Sequence, residues 1–270
     1  MQRNPGTRHQ FVAHRQILMR RLATTLAIAC AMTAINERGA HAADIRVLAS
    51  NGVKAAVEQL KPQLEKASGS TLSIDFITAA ALRERIEKGE IFDVAILTDD
   101  VIEALIKTGK ISQAQRARLA RVGIGVGYRK GAPKPDVGTA AGIKQSLLNA
   151  KSIAYTEAGA SRPGIDRMFE RLGIANQLHT KSHLTAAGAA PASVGKGESD
   201  LVLTLISEIL PEPGVELAGP IPSEFQTYIG FSAAPSPKAA GSPAAANLIT
   251  FMKSPAAAAT YKAKGMETVK

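Results

Sequence analysis

The sequence contains no tryptophan, and aromatic residues make up only 4% of it. Sugar-binding sites are usually built on flat aromatic rings, which give the sugar an apolar face to stack against. The scarcity of such rings therefore argues against a sugar-binding protein.

Cysteine is nearly absent as well, since Cys30 is the only one in 270 residues. It lies in a segment with the order of a secretory signal: Arg20 and Arg21, a short apolar stretch, then Ala40-His41-Ala42. The apolar stretch, 22–35, is shorter than the roughly 20 residues that cross a bilayer. We predict a signal peptide over 1–42, with Met19 as an alternative start, and hence a periplasmic protein.

Cleavage of this leader would remove the only thiol. The mature chain would then have no disulfide, no thiolate metal site and no cysteine nucleophile. Residues 27–29 form a poor lipobox before Cys30, so we do not expect a lipoprotein anchor.

The parts of a hydrolytic active site are also missing. His179 and His183 are the only histidines after the leader, and the chain has no G-x-S-x-G elbow to hold a serine nucleophile. Asp99 and Asp100 form an acidic pair that is better placed to begin a helix than to catalyse hydrolysis. The sequence predicts that the chain is not an enzyme and uses no cofactor.

Two further patterns have a plain structural interpretation. The spacing of His179 and His183 would put both on one helix face, but no acidic residue completes a metal site, so we predict two exposed histidines and no metal. Gly123, Gly125 and Gly127 form a G-x-G-x-G pattern, in which the third glycine does not have the spacing found in a phosphate-binding loop. We predict a strand or crossover there.

The charge of the chain is moderate once the leader is excluded. Segment 1–42 holds six of the 33 basic residues and one of the 23 acidic residues, which leaves a net charge of +5. Basic residues are interleaved with acids, as expected of solvated helix faces. We expect no nucleic-acid partner, and the mild positive charge is compatible with an anionic ligand.

Short apolar strands alternate with amphipathic helices along the mature chain. Strands are predicted at 45–49, 72–76 and 93–97, with helices at 53–68, 82–89 and 99–107 between and after them. Gly69 is placed to end the first helix, and Pro62 to kink it. The second half shows strands at 152–155 and 201–205, helices at 164–172, 247–253 and 256–264, and Pro/Gly-rich connections at 130–139, 210–222 and 233–243. The alternation predicts an α/β fold with mainly parallel sheets and helices on both faces.

In such sheets, ligands bind at the carboxyl ends of the strands, where helix N-termini present free N–H groups. The loops that qualify are 50–52, 78–80, 161–164 and, less clearly, 193–194. Small residues and flexible backbone in all four favour a small anion held by dipoles and neutral donors.

The chain resembles the type II periplasmic binding proteins, and among them the molybdate receptors. Residues 60–69 read L-K-P-Q-L-E-K-A-S-G, similar to the family's P-x-F-E-K-x-T-G helix end. Residues 82–94 read L-R-E-R-I-E-K-G-E-I-F-D-V, similar to L-x-x-Q-I-E-x-G-x-x-A-D-V, and residues 251–257, F-M-K-S-P-A-A, resemble the family's closing S-P-x-A segment. The resemblance covers essentially the whole mature chain.

The resemblance implies two lobes joined by crossing strands, with the ligand in a cleft that closes by a hinge movement. Lobe 1 would comprise 44–127 and 229–270, and lobe 2 would comprise 128–228. It also implies an ABC permease of the inner membrane as partner of a monomeric receptor. An organic-acid receptor and a sensor that does not transport remain alternatives.

The resemblance also locates the site, with departures from the molybdate pattern. Gly52 stands where the receptors have an oxyanion-binding Ser, Thr78 begins a second loop that is rich in Ser in those proteins, and Thr204 replaces a Tyr. Arg162 is either an exposed loop residue or a partner for a ligand carboxylate, and Ser161 is expected to cap the next helix. The predicted ligand-binding residues are Ser50, Asn51, Gly52, Thr78, Ala79, Ala80, Ser161, Arg162, Gly164, Val194 and Thr204.

Overall fold

The computed structural model of the protein describes residues 44–269. The predicted signal peptide, the alternative start at Met19 and Cys30 lie outside the described residues. Among residues 44–269, no helix combines the length and the apolar character that a membrane span requires.

The first part of the chain follows the predicted alternation closely. Its elements are β1 (Ile45–Ser50), a 3-10 turn (Asn51–Val53), α1 (Lys54–Ser68), β2 (Leu72–Ile77), α2 (Ala79–Glu87), β3 (Val94–Thr98) and α3 (Asp99–Lys107). The predicted apolar face of α1 is buried, and α1 continues through Pro62. Gly69 ends it with φ 68°, a left-handed conformation that glycine adopts without a Cβ penalty.

The remaining elements begin with one long strand. They are β4 (Ala117–Arg129), α4 (Ala140–Asn149), β5 (Ile153–Thr156), α5 (Arg162–Arg171), α6 (Ala175–His179), β6 (Ser182–Thr185), α7 (Ala190–Gly195), β7 (Leu201–Leu205), α8 (Ile206–Ile209), β8 (Val215–Pro220), β9 (Tyr228–Pro235), α9 (Pro243–Met252), α10 (Pro255–Ala263) and β10 (Glu267–Thr268). The glycines 123, 125 and 127 lie within β4, which confirms the strand prediction.

The sheet has two parallel parts connected by antiparallel strands. Its order is β2-β1-β3-β9-β4-β7-β5-β6, with β8 and β10 also paired to β4. β1 is parallel to β2 and β3, and β5 is parallel to β6 and β7, whereas β9 and β4 run antiparallel to their neighbours. Apolar clusters lie on both faces of each part. The predicted α/β class with helices on both faces is confirmed.

β4 changes partners halfway along its length. Residues 117–123 pair with β9, and residues 124–129 pair with β7 and β8. At the change, the Gln226 side chain accepts a hydrogen bond from the Ile124 N–H (2.8 Å) and donates one to the Ile124 carbonyl (2.9 Å). The predicted lobe boundaries, 127/128 and 228/229, stay a prediction.

Three local predictions were wrong. His179 ends α6, whereas His183 lies in β6 with Nδ1 2.9 Å from Ser199 Oγ, so the two do not share a helix face. The connection predicted at 210–222 contains β8, and residues 233–235 of the next predicted connection belong to β9. In both connections, strand pairing with the rest of the sheet overrides the local Pro/Gly composition.

Candidate functional site

The carboxyl ends of β1, β2 and β3 meet at one edge of the sheet because these strands are parallel. β9 runs in the opposite direction and pairs Phe231 with Thr98, so its beginning reaches the same edge. Two cavities open along this edge, and residues from both parts of the sheet line each of them.

The first cavity has a volume of about 680 Å³. Its walls include the start of α2, the start of α3 and the start of β9, facing the loop 158–160 of the second part. Arg118 and Arg121 are the basic residues of its lining, and Tyr228 is the aromatic one.

Both arginines of this cavity are already paired. The Arg118 guanidinium lies 3.0 Å from Asp99, which also accepts a 2.6 Å hydrogen bond from the Ser232 hydroxyl. Arg121 lies 2.7 Å from Glu267 and 4.4 Å from the centre of the Tyr228 ring. A ligand anion would have to compete with these carboxylates for either guanidinium.

The second cavity, of about 380 Å³, lies between α1 and the segment around α8. Asn51, Lys54 and Phe76 line one side, and Gly188 and Glu208 line the other. The two sides approach closely, because a Cβ on Gly188 would lie 3.2 Å from Nδ2 of Asn51. Its volume is within the range of small-molecule sites, about 300–1,000 Å³.

Glu208 is the residue of this cavity that sequence reasoning missed. Part of the residue is open to the cavity, while the surrounding protein encloses its carboxyl group, and this burial raises its pKa. Thr204, which is 1% exposed, donates a hydrogen bond from its hydroxyl to the Glu208 carboxylate. A carboxylate four residues after Thr204 was the only available signal, and it does not distinguish a surface glutamate from a buried one.

Gly52 lies where the two parts of the sheet touch. Its carbonyl accepts a 2.7 Å hydrogen bond from the Ser207 hydroxyl. A Cβ added to it would lie 2.5 Å from Cζ of Phe231 and 2.8 Å from Cδ1 of Leu205. Glycine is needed here because there is no room for any side chain, so the serine of the molybdate receptors does not fit in this packing.

The start of α2 presents backbone donors to the first cavity. The Thr78 hydroxyl accepts from the Ala81 N–H (3.3 Å), and the Thr78 carbonyl accepts from the Leu82 N–H (3.0 Å). Ala79 and Ala80 line the cavity, and first-turn N–H groups have no partner within their own helix. The Thr78 hydroxyl is therefore used as a cap, and the N–H groups of Ala79 and Ala80 are left for a ligand.

Thr78→Ala is expected to lower the free energy of unfolding by about 1 kcal/mol, because the cap bond at the start of α2 is lost. Chemical denaturation of the two proteins measures the difference. Thr78→Ser keeps the capping oxygen and should lie much nearer to the wild type. Equal losses in both variants would contradict a capping role.

The other predicted residues are not gathered at the cavities. Ser50 is buried at the end of β1, and Ser161 takes the N-cap position of α5 without a side-chain cap bond, contrary to expectation. Arg162 pairs with Asp166 at 2.7 Å and lies over the Tyr155 ring.

Two predicted residues are part of the packing. Gly164 faces Ile124, which a Cβ would approach to 2.7 Å, and Val194 is fully buried in a small apolar cluster. Ligand contact by Gly164 and Val194 stays a prediction, and their enclosure by other side chains does not favour it. Within residues 44–269, no cluster of three His, Cys, Asp or Glu side chains is arranged to hold a metal ion.

Known proteins similar to this chain include binding proteins and one protein that is named as an enzyme. A protein from Pseudomonas sp. named aconitate isomerase is 29% identical over 231 residues, covering 83% of this chain and 88% of that protein. The periplasmic molybdate-binding protein of Azotobacter vinelandii has a TM-score of 0.70 at 20% identity, over 84% of this chain and all of that one.

A further structural neighbour is PEB3 of Campylobacter jejuni with bound L-phospholactate, at a TM-score of 0.63 and 18% identity, over 83% of this chain and 99% of that one. At such identities these two structures show the common fold. Residues 45–267 match the family described as bacterial extracellular solute-binding protein. The chain therefore belongs to the bacterial extracellular solute-binding proteins.

Proposed function

We propose that this protein binds a small organic polycarboxylate, and not a metal oxyanion, in the cleft formed by the two cavities. The observation that carries this proposal is the enclosure of Gly52 by Phe231 and Leu205. A buried oxyanion needs many hydrogen-bond donors, and each missing one costs about 1–3 kcal/mol. At Gly52 the fold leaves no space for the hydroxyl donor that the molybdate receptors use there.

The remaining donors fit a carboxylic acid ligand with several separated charges. The N–H groups of Ala79 and Ala80 lie at the first cavity, and the Asn51 amide and the Lys54 ammonium lie at the second. The relative named aconitate isomerase acts on a tricarboxylate, which supports the same ligand class. The fold also accommodates an organic acid in PEB3.

As a member of this family, it would be exported and would deliver the acid to an ABC permease of the inner membrane. A second candidate function is conversion of the bound acid by isomerisation. The name of the Pseudomonas relative and the position of Glu208 in the cavity wall favour this candidate.

A panel of anions in thermal unfolding of the purified protein tests the ligand class. It contains cis-aconitate, trans-aconitate, citrate, molybdate, tungstate and sulfate. A ligand at about 100 times its dissociation constant adds about 2.7 kcal/mol of stability, which raises the melting temperature of a chain of this size by about 5–11 °C. We expect this rise with at least one polycarboxylate, and no rise with the metal oxyanions. A rise with molybdate or tungstate alone would refute the proposal.

A further inference from the structure

The surroundings of the Glu208 carboxyl are largely neutral. By contrast, Asp99 in the wall of the first cavity is paired with Arg118, and Glu58 in the wall of the second lies 3.9 Å from Lys54. The described contacts of the Glu208 carboxyl are instead a neutral hydroxyl, that of Thr204, and the backbone of Leu205. A carboxyl group without a guanidinium or ammonium partner remains able to take up and release a proton.

The fold holds this carboxyl firmly at the cavity wall. Thr204 and Ser207 are both buried, and Ser207 anchors α8 to the Gly52 carbonyl on the other side of the cleft. Thr204 engages Oε2 of Glu208. Glu208 itself is part of the wall of the second cavity, where a ligand would meet it.

Few other charges act on this group. Those that line the same cavity are Lys54 and Glu58 of α1, which lie 3.9 Å apart, and Glu212 after α8. β7 and the 3-10 turn carry no charged side chain. On the strands that pack against α8, Glu216 of β8 accepts a hydrogen bond from the Tyr128 hydroxyl of β4, and Arg118 and Arg121 of β4 line the first cavity.

We propose that Glu208 is a catalytic acid–base residue that moves a proton between two carbons of an unsaturated polycarboxylate bound in the cleft, at the wall of the second cavity. The protein would then isomerise its ligand as well as bind it. This inference rests on the proposed ligand class. The sequence-based prediction of a non-enzyme considered histidines and paired carboxylates, and it did not consider a single buried glutamate.

The proposed step is a 1,3-proton shift that needs no oxidant, metal or cofactor. The Glu208 carboxylate takes a proton from the methylene carbon of the acid, and the electrons of that C–H bond form a new C=C bond. The electrons of the old C=C bond then take the proton back from Glu208 at the other end of the three-carbon unit. The double bond has moved by one carbon, and Glu208 is again a carboxylate.

The environment of Glu208 supports this role. Burial raises its pKa, which makes the carboxylate a stronger base than an exposed glutamate. Lys54, on the opposite wall, is placed to offset the negative charge that develops on the carboxylates of the intermediate. The Thr204 hydrogen bond lowers the same pKa in part and orients the group.

Proton NMR in D2O with trans-aconitate as the probe tests the proposal. The wild-type protein should convert trans-aconitate to cis-aconitate and exchange its methylene protons for deuterium. Glu208→Gln should lower the rate by about 10²–10⁴-fold, the usual contribution of a general acid–base, while thermal unfolding still reports binding. Glu84→Gln, on an exposed glutamate of α2 that lines neither cavity, is the matched control and should keep the wild-type rate.

The outcomes separate the two proposals. Binding of trans-aconitate without conversion or exchange would overturn the inference and leave the proposed function standing. Conversion that Glu208→Gln leaves unchanged would overturn the assignment of Glu208. No binding of any polycarboxylate would refute the proposed function, and the inference with it.

Two pH measurements test the part of Glu208 in proton transfer and the burial that raises its pKa, respectively. Thr204→Val removes the hydrogen bond that lowers the pKa of Glu208, so the acid limb of the pH–rate profile should move to higher pH. Glu208 also stabilises the fold less once it ionises. At pH values below the ordinary pKa of a glutamate, the free energies of unfolding of the wild type and Glu208→Gln should differ by a constant amount. As the pH rises through the raised pKa of Glu208, the wild type should lose stability relative to the variant. An unmoved acid limb and a pH-independent difference would contradict the proposal.

Discussion

Phe231→Ala is expected to lower the free energy of unfolding by about 3–5 kcal/mol, the usual loss when a buried phenylalanine is truncated. The Phe231 side chain is fully buried in the core of the first part of the sheet, and its Cζ lies against Gly52 at the edge where the cleft opens. The close packing around it has little freedom to collapse into the space that the ring would leave.

Urea denaturation of the purified proteins measures this loss. Phe251→Ala is the matched control, since Phe251 packs against the same cluster but is only partly buried. Phe251→Ala should lower the free energy of unfolding by a clearly smaller amount, because a partly buried ring returns less apolar surface to water when the chain unfolds. A loss at Phe231 no larger than that at Phe251 would show that the ring is not part of the tight contact described here.

Gly52→Ser is expected to destabilise the protein by about 1–3 kcal/mol, as is usual when atoms are forced into a packed core. The new Cβ would meet Phe231 and Leu205 well inside contact distance. Because the side chain cannot be accommodated, the variant should also fail to gain molybdate binding, although it restores the residue of the molybdate receptors at this position.

Gly241→Ser is the control for a glycine in open space, since a Cβ there meets nothing within 4 Å. Its effect should stay within about 0.5 kcal/mol. If the clash at Gly52 is the cause, Gly52→Ser combined with Phe231→Leu should lose less than the sum of the single variants. A Gly52→Ser protein as stable as wild type that binds molybdate would contradict both the steric argument and the proposed ligand class.

Local sequence patterns were sufficient for most of the secondary structure. The predicted bounds of α3, 99–107, and of β7, 201–205, agree with the structure, and the predicted strand at 72–76 differs from β2 by one residue. These elements have strong apolar periodicity or a short, fully apolar sequence, so each carries its own signal. β8 and the end of β9 carry no such signal, because their pairing with β4 and β3 depends on residues distant in the chain.

Two of the loops predicted to bind a ligand border the cavities, whereas several of the individual residues predicted in the other loops do not line them. Asn51, Ala79 and Ala80 were predicted and do line the cavities, and Thr78 lies next to them. Gly164 and Val194 were predicted in loops but lie within α5 and α7, since helix boundaries read from sequence are uncertain by a few residues.

The sequence by itself determined the α/β alternation, the likeness to periplasmic binding proteins and the edge of the sheet at which a ligand would meet helix N-termini. These properties follow from periodicity, caps and short motifs, which are local. Only the tertiary structure decided that Gly52 has no room for a serine and that Glu208 is a buried carboxyl in a cavity wall. The first depends on contacts of Gly52 with Phe231 and Ser207, more than 150 positions away in the chain. The second depends on the cavity that Glu208 shares with Asn51 and Lys54, which are similarly distant in sequence. Such contacts exist only once the two parts of the sheet have packed together.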